Sequence, residues 1–127
     1  MILGIGTDVT EVARISEGIS RYGDRFLNRL FTEGERAYAS SKANAAERYA
    51  ARFAAKEAGM KAIGTGWRRG VTWKDFEVVN EPSGRPVLVL RGVAREFADR
   101  MGVECISISL THTAEVAYAI VILEKSG

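Results

Sequence analysis

The sequence is poor in cysteine and histidine and carries little net charge. Its 127 residues include one cysteine, Cys105, and one histidine, His112. A single cysteine excludes a disulfide framework and any zinc or iron–sulfur site built from cysteines. The 18 Lys and Arg residues nearly balance the 16 Asp and Glu residues, which leaves a formal net charge of +2. This balance excludes binding of nucleic acid or membranes by bulk charge, so an anionic partner must be recognised by a local basic surface.

Long hydrophobic runs and targeting features are also missing. No apolar run reaches the roughly 18 residues of a membrane-spanning helix. Met1 leads directly into a strand-like segment that ends at Asp8, which is not the pattern of a cleavable signal. Apolar residues make up 46% and charged residues 27% of the chain, as in an ordinary globular domain. We therefore expect one domain over residues 1–127, located in the cytoplasm, with no nucleic-acid or membrane partner.

The helical pattern is clearest in the middle of the chain. Strong helix formers predict a long helix over residues 45–62, with Asn44 as its N-cap and Gly64 as its stop. Residues 11–30 are helical in pattern but interrupted by glycines 18 and 23, which predicts two short helices or one broken helix. A further short helix is predicted over residues 92–101. Polar, turn-like composition predicts irregular structure over residues 32–43 and 64–70.

Five segments have the composition of strands. They are residues 1–8, 73–80, 86–90, 105–110 and 116–123. The turn Pro82-Ser-Gly-Arg85 predicts a hairpin between the second and third, and residues 111–115 predict one between the last two. A strand, then helices, then mostly strands is typical of an α+β domain. We therefore predict an antiparallel sheet packed against the long helix.

Charged residues lie on the face of the long helix that is expected to be buried. At about 100° per residue, Glu57 and Lys61 share a stripe with Phe53 and small alanines, whereas Arg52 lies on the opposite side. A Glu–Lys pair at this spacing is commonly exposed to solvent and worth only about 0.2–0.5 kcal/mol. On a buried face, however, two charges are costly unless they pair or bind a ligand. Both interpretations stay open on the sequence alone.

Asp8 and His112 each have a structural and a functional interpretation. Asp8 ends an apolar strand, where it either caps the following helix or serves as a metal or proton ligand. His112 is either an ordinary surface residue or, beside the hydroxyls of Ser109, Thr111 and Thr113, part of a group that donates hydrogen bonds to phosphate. Without a second histidine or a thiolate pair, two carboxylates with water and phosphate oxygens would suit Mg²⁺ better than zinc.

A basic stripe is predicted near the start of the chain. On a helical wheel Arg14, Arg21, Arg25 and Arg29 fall within about 80° of one another. They form either a solvated face or a docking surface for an anionic partner. Common motifs give no competing assignment, because the dinucleotide fingerprint, the phosphate-binding loop, the serine nucleophile elbow and HExxH are all absent.

Four segments together resemble the holo-acyl-carrier-protein synthase family of 4′-phosphopantetheinyl transferases. They are Gly6-Thr-Asp-Val-Thr-Glu-Val-Ala-Arg14, Arg52-Phe-Ala-Ala-Lys-Glu-Ala58 with Lys61-Ala-Ile-Gly64-Thr-Gly66, Ser83-Gly-Arg-Pro86, and Ser109-Leu-Thr-His-Thr113. Their order and spacing match over nearly the whole chain. The resemblance implies that 4′-phosphopantetheine passes from coenzyme A to a serine of an acyl carrier protein in fatty acid biosynthesis, with release of 3′,5′-ADP. It also implies Mg²⁺ and a homotrimer with sites between protomers.

The resemblance assigns roles to residues of this sequence. Asp8 and Glu57 become metal ligands, and with Lys61 they form the catalytic set. The residues implied to bind coenzyme A are Lys61, Gly64, Arg52, Arg85, Pro86, Thr111 and His112. Arg14, Arg21 and Arg25 would dock the acidic carrier.

The general base and two rival functions stay open. The base is either Glu57 itself or a water polarised by Mg²⁺ and Asp8. One rival is a module that binds nucleotides or an acidic protein without chemistry, in which Asp8 and Glu57 would be dispensable. The other is a Mg²⁺-dependent phosphohydrolase, which would need more converging carboxylates than the sequence offers.

Overall fold

The computed structural model describes residues 1–66 and 68–127, and within them the chain alternates between two sheets and a set of helices. In chain order the elements are β1 (Ile2–Glu11), α1 (Val12–Tyr22), α2 (Asp24–Leu30), α3 (Glu33–Ser40), α4 (Ala45–Ile63), a 3₁₀ turn (Trp73–Asp75), β2 (Phe76–Asn80), β3 (Pro86–Leu90), α5 (Gly92–Met101), β4 (Cys105–His112) and β5 (Val116–Glu124). The predicted α+β class is confirmed. None of the helices in these residues is long and apolar enough to cross a membrane.

The strands form two antiparallel sheets rather than one. A three-stranded sheet has the order β1-β5-β4, and β2 pairs with β3 in a separate hairpin. In the larger sheet Asp8 lies opposite Ala119, and His112 lies opposite Ala117. Both predicted hairpins are confirmed. The larger sheet covers one side of α4 and the hairpin packs on another, so α4 is the central element of the fold.

Glycine lets β1 approach α4 closely. A methyl group at Gly6 would lie only 2.0 Å from the carbonyl oxygen of Ala58, and one at Gly4 would lie 2.2 Å from that of Ala62. Strand glycines commonly mark such a close backbone approach. The small residues on both elements therefore bring the strand that carries Asp8 directly onto the helix that carries Glu57.

The long helix follows the prediction closely. It runs from Ala45 to Ile63 and ends at Gly64, whose φ of +80° is the left-handed conformation of a helix C-cap. Asn44 stands at the N-cap but its side chain accepts from Arg48 Nε instead of capping the backbone. Thirteen of the 19 residues are buried, so α4 is covered on nearly all sides and not on a single stripe.

Four local predictions need correction. The first strand does not end at Asp8 but continues to Glu11, which is the N-cap residue of α1, so Asp8 does not cap that helix. Residues 32–43 are not irregular, because α3 occupies Glu33–Ser40 behind a capping box between Thr32 and Glu35. Gly18 does not break a helix. It sits within α1, where a methyl group would lie 2.3 Å from the Phe26 ring of α2, and the break comes at Gly23 with φ +54°. The strand predicted from residue 73 begins at Phe76 after the 3₁₀ turn. In the predicted loop 64–70, residue 67 lies outside the described residues.

Candidate active site

Asp8 and Lys61 meet where β1 lies along the C-terminal half of α4. Lys61 Nζ donates to Asp8 Oδ1 at 3.2 Å and to the carbonyl of Thr7 at 2.9 Å. Thr10 Oγ1 donates to the other carboxylate oxygen of Asp8 at 3.0 Å. Asp8 is largely shielded, with 17% of its side chain exposed, whereas Lys61 is 58% exposed. Lys61 is therefore not on a buried face, because β1 is the edge strand and the lysine reaches solvent past it.

Glu57 completes this group one helical turn before Lys61. It is half-buried, and burial is the largest cause that raises the pKa of its carboxyl group, followed by the nearby charge of Asp8. The cations of Lys61 and Arg14 oppose this rise. Glu57 thus shares one electrostatic neighbourhood with a second carboxylate and two basic side chains. We call Asp8, Glu57 and Lys61 the carboxylate–lysine cluster.

The carboxylate–lysine cluster fits a hard divalent cation that keeps some of its other ligands. Two carboxylates repel each other in a shielded position, and a cation between them would remove that repulsion. Among residues 1–66 and 68–127, no group of three or more His, Cys, Asp or Glu side chains could form a full protein cage. Mg²⁺ is commonly held by one or two carboxylates together with water and phosphate oxygens. The donor set therefore suits Mg²⁺ bound together with a phosphate ligand.

Arg52 leaves α4 on a different side and is buried. Only 3% of the residue is exposed, its guanidinium donates to Asn80 Oδ1, and it lies 4.2 Å from the ring centroid of Tyr38. Its Nε has no hydrogen-bond partner within the described part of the chain. Arg52 therefore belongs to the region around the end of the β2–β3 hairpin and not to the carboxylate–lysine cluster, as the helical wheel predicts.

Arg85 and Pro86 lie in that same hairpin region. Pro86 pairs with Asn80, the residue that accepts from Arg52. Arg85 is exposed in the turn that precedes Pro86. The structure thus brings Arg52 and Pro86 together through Asn80, with Arg85 at the rim.

His112 ends β4 and faces the first turn of α4. Its Nδ1 lies 2.9 Å from Oε1 of Glu47, and 23% of each side chain is exposed. Thr111 is exposed on the opposite face of the strand, as alternation requires. Thr113 uses its hydroxyl to accept from the backbone N–H groups of Glu115 and Val116. The predicted hydroxyl cluster around the imidazole is therefore wrong, because strand alternation and the turn direct these hydroxyls elsewhere.

Two ends of α4 thus carry separate polar groups. Glu47 and Glu57 are ten residues apart, which corresponds to about 15 Å along a helix. His112 lies beside Glu47, whereas Asp8 and Lys61 lie beside Glu57. Gly64 is exposed at the helix end just beyond Lys61.

The predicted basic stripe is divided between two helices. Arg14 is exposed on α1, and its positive charge opposes the rise in the pKa of Glu57. Arg21 forms an exposed ion pair with Glu17 at 3.6 Å. Arg25 is exposed on α2. Because Gly23 turns the chain, these arginines do not form one continuous helical face.

A small cavity opens beside Arg14. Its volume is about 230 Å³ and apolar side chains supply most of its lining. Arg14 and Arg29 lie at its edge, and Arg29 stacks 5.7 Å from the Trp73 ring centroid. The full lining is Arg14, Ile15, Phe26, Arg29, Leu30, Phe53 and Trp73. An apolar pocket with two cations at its rim suits an acidic partner that carries an apolar side chain.

The sequence did not reveal a fully buried ion pair between Lys56, which precedes Glu57 in the chain, and Glu35. Lys56 Nζ lies 2.6 Å from Glu35 Oε1, and neither side chain is exposed. Lys56 also donates to the carbonyls of Trp73 and Phe76, and Glu35 accepts from the backbone N–H of Thr32 and Val78. The available signal was the capping-box spacing of Thr32 and Glu35. The role of Glu47 was also missed, and nothing in its sequence context pointed to His112.

Comparison with known proteins gives concordant matches. A family model described as the 4′-phosphopantetheinyl transferase superfamily matches residues 4–121. A holo-[acyl-carrier-protein] synthase of Solibacter usitatus is 60% identical over 125 residues, covering 98% of this chain and all of that protein. The crystal structure of the Neisseria meningitidis holo-[acyl-carrier-protein] synthase has a TM-score of 0.88 at 32% identity, covering 98% and 100%. That of Bacillus anthracis, in complex with CoA (3′,5′-ADP), has a TM-score of 0.81 at 38% identity and covers 99% of each chain.

Proposed function

The chain belongs to the 4′-phosphopantetheinyl transferase superfamily, and on this premise we propose that it transfers 4′-phosphopantetheine from coenzyme A to a serine of an apo acyl carrier protein. Similarity to holo-[acyl-carrier-protein] synthases over 98% of the chain supports this reaction. In this chain the proposal is carried by the convergence of Asp8, Glu57 and Lys61 between β1 and α4. We assign residues 1–127 to one transferase domain that works in fatty acid biosynthesis. Its place is the cytoplasm, where the exposed thiol of Cys105 stays reduced.

The reaction is a phosphoryl transfer that needs a base and charge stabilisation. The serine oxygen of the carrier forms a bond to the phosphorus atom that bears pantetheine. The bond from that phosphorus to the bridging oxygen breaks, and 3′,5′-ADP leaves with the electron pair. The serine proton passes to a base, for which the two candidates are Glu57 and a water that Mg²⁺ and Asp8 would polarise.

Asp8 and Glu57 would hold Mg²⁺, which when bound would neutralise negative charge on the pyrophosphate. Lys61 lies at the exposed edge of the same cluster, so its ammonium can contact a phosphate oxygen of the substrate. Thr10 and Lys61 each hold one oxygen of Asp8, which fixes the orientation of that carboxylate. Gly64 leaves the helix end beyond Lys61 free of a side chain where the nucleotide would pass.

The remaining coenzyme A residues support a site shared between protomers. His112 lies beside Glu47, which is about 15 Å from Glu57 along α4, and Arg52 leaves the helix on another side. Within one coenzyme A, however, the pyrophosphate and the 3′-phosphate are separated by a single ribose. We therefore propose that a second protomer supplies His112, Thr111, Arg52, Arg85 and Pro86 for the 3′-phosphate and the adenine.

An uncovered sheet face offers the surface for such an assembly. The face of the β1-β5-β4 sheet turned away from α4 exposes Ile5 to 56%, Val9 to 55% and Tyr118 to 49%. Apolar patches of this kind on a small protein usually mark an interaction surface. Copies of the chain that bury this face would form the homotrimer, and Thr111, which points from the same face, would lie at the interface.

The carrier would dock on α1 and α2 next to Glu57. Arg14, Arg21 and Arg25 are exposed there, and the cavity beside Arg14 provides an apolar contact. Exposed charge pairs mainly raise the association rate and weaken with salt. Arg14→Glu should therefore raise the KM for the carrier and leave the KM for coenzyme A nearly unchanged. Equal losses for both substrates would mean that Arg14 is structural or belongs to the coenzyme A site.

The central experiment is to incubate the chain with coenzyme A, Mg²⁺ and an apo carrier and to weigh the carrier by mass spectrometry. A gain of the phosphopantetheine mass supports the proposal. Asp8→Ala and Glu57→Ala should lower turnover by a factor of about 100 or more while the far-UV circular dichroism stays native. Binding without a mass gain would indicate a non-catalytic module, and hydrolysis of coenzyme A without transfer would indicate a phosphohydrolase.

Mixing variants tests the shared site. An Asp8→Ala chain and a His112→Ala chain, co-refolded, should regain part of the activity that each lacks alone, because mixed assemblies contain intact sites. Sedimentation should give a mass of about three chains. An active monomer would overturn the shared site but leave the transfer reaction standing.

A further inference from the structure

Glu47 holds the only histidine of the chain although its position in the helix predicts a different partner. With Asn44 as the N-cap of α4, Glu47 occupies the third helical position, where a glutamate normally reaches back to the N-cap backbone N–H. In α3, Glu35 at the equivalent position does this and accepts from Thr32 N at 3.0 Å. Glu47 instead lies 2.9 Å from His112 Nδ1. A capping role therefore does not account for Glu47.

The chemistry of the carboxylate sets the direction of this hydrogen bond. An ionised carboxylate can only accept, so Nδ1 of His112 must carry the proton that it shares with Glu47. Nε2 has no partner within residues 1–66 and 68–127, and the imidazole is 23% exposed. The ring is thus held by one nitrogen and presents the other to a ligand, which is the arrangement seen where a carboxylate orients a functional imidazole.

We propose that Glu47 is a positioning residue that orients His112 for the 3′-phosphate of coenzyme A. This inference rests on the proposed function, because it takes the phosphate ligand of His112 from there. A phosphate oxygen accepts, so Nε2 must also carry a proton when the phosphate binds. The ring then has both protons and a positive charge, and the carboxylate of Glu47 offsets that charge. Charge-assisted hydrogen bonds of this kind are roughly twice as strong as neutral ones.

The Glu47–His112 pair joins the end of β4 to the start of α4. His112 lies at the end of β4, and Glu47 lies in the first turn of α4. The neighbouring Arg48 is engaged with Asn44 Oδ1. Other contacts also hold the sheet on α4, among them the bonds from Lys61 to Thr7 and Asp8, so removal of the pair should change the ring orientation before it changes the fold.

Nuclear magnetic resonance tests the orientation directly, because one histidine gives one set of ring ¹⁵N signals. Glu47→Ala and Glu47→Gln should each change the Nδ1 signal that marks a protonated nitrogen bonded to a carboxylate. Glu33→Gln is the matched control, since it removes an exposed first-turn glutamate of α3 that touches no histidine. A ring spectrum of Glu47→Ala identical to that of the wild type would overturn the proposal.

Binding measurements with coenzyme A and with 3′-dephospho-coenzyme A test whether His112 binds the 3′-phosphate. Calorimetry should show that Glu47→Ala weakens binding of coenzyme A by about tenfold, the loss typical of a hydrogen bond to a charged group. Binding of 3′-dephospho-coenzyme A should not change, and Glu47→Gln should lie between. The kcat at saturating coenzyme A should stay within about twofold, because the 3′-phosphate takes no part in the bonds that form and break.

The outcomes separate this inference from the proposed function. If Glu47→Ala weakens the binding of coenzyme A and of 3′-dephospho-coenzyme A equally, the positioning role of Glu47 is overturned. If His112→Ala leaves coenzyme A binding unchanged, the phosphate role of His112 is wrong, and the positioning role of Glu47 with it, while the transfer reaction is unaffected. Absence of any carrier mass gain with the wild-type chain would instead overturn the proposed function.

Discussion

Replacement of Lys56 by methionine should destabilise the fold through the charge that it leaves behind. Lys56 and Glu35 are both fully buried and 2.6 Å apart. The three protons of the ammonium have three acceptors, namely Glu35 Oε1 and the carbonyls of Trp73 and Phe76. Burial lowers the pKa of Lys56, and the charge of Glu35 opposes that shift. Each member of the pair is therefore tolerated in the interior because of the other.

The expected magnitude follows from what Glu35 retains. Breaking a buried ion pair by removing one partner commonly costs about 3–5 kcal/mol. In Lys56→Met the Glu35 carboxylate still accepts from the backbone N–H groups of Thr32 and Val78. We therefore expect a loss of about 3 kcal/mol in the free energy of unfolding, a large share of the roughly 5–15 kcal/mol available to a domain. Adding Glu35→Gln removes the stranded charge and keeps one acceptor, so the double variant should be more stable than Lys56→Met alone.

Urea unfolding at a fixed chain concentration measures these differences, because stability depends on concentration in an assembly. The m-values of the variants should agree with that of the wild type. If the double variant loses the sum of the two single losses, the two groups are not coupled and the reasoning is refuted. A loss below about 1 kcal/mol in Lys56→Met would refute it as well.

Three further results are expected. Gly6→Ala should cost about 3 kcal/mol or more in the free energy of unfolding, because its methyl group would lie 2.0 Å from the Ala58 carbonyl; a melting temperature equal to that of the wild type would show that β1 can move away. Since the folded-state pKa of Glu57 is raised, its favourable contribution is complete below the ordinary carboxyl pKa and is lost as the pH rises through the raised value. Glu57→Gln should therefore gain stability over the wild type between pH 4 and 7 in EDTA, and a difference independent of pH would contradict this. Val9→Asp should dissociate the assembly in sedimentation, whereas Val79→Asp, which changes an equally apolar exposed residue on the other sheet, should not.

Elements with a strong periodic or composition signal could be predicted from the sequence. The long helix, the short helix over residues 92–101 and the strand over residues 86–90 all end within two residues of the predicted bounds. Gly64 was recognisable as a stop because few residues other than glycine adopt its left-handed conformation. The composition of residues 32–43 does not predict the helix α3, because Gly, Ser and Lys in this segment are typical of turns. The spacing of Thr32 and Glu35 would have revealed it.

The division of the arginines could not be read from a single helical wheel. A wheel assumes one axis, and the positive φ of Gly23 gives α1 and α2 different axes. Gly18 is also a glycine, but its structural role differs, because its missing side chain leaves space for the ring of Phe26. Only the tertiary contact distinguishes a glycine that breaks a helix from one that allows close packing.

The site itself shows why a sequence pattern can indicate which residues are functional without showing where their side chains lie in the folded chain. A search for one amphipathic stripe on α4 presumes one solvent face and one core face. The structure gives this helix three polar connections, to His112 through Glu47, to Asn80 through Arg52, and to Asp8 through Lys61. These connections leave the helix in different directions, so within residues 1–66 and 68–127 the three groups do not converge on one point. The wheel could place Glu57 and Lys61 together, but the partners of the other residues lie across sheets whose register only the folded chain defines. Under the proposed function, a site that uses all three groups would be completed by contact between chains, and the apolar sheet face beside Asp8 is the surface that we propose for this contact.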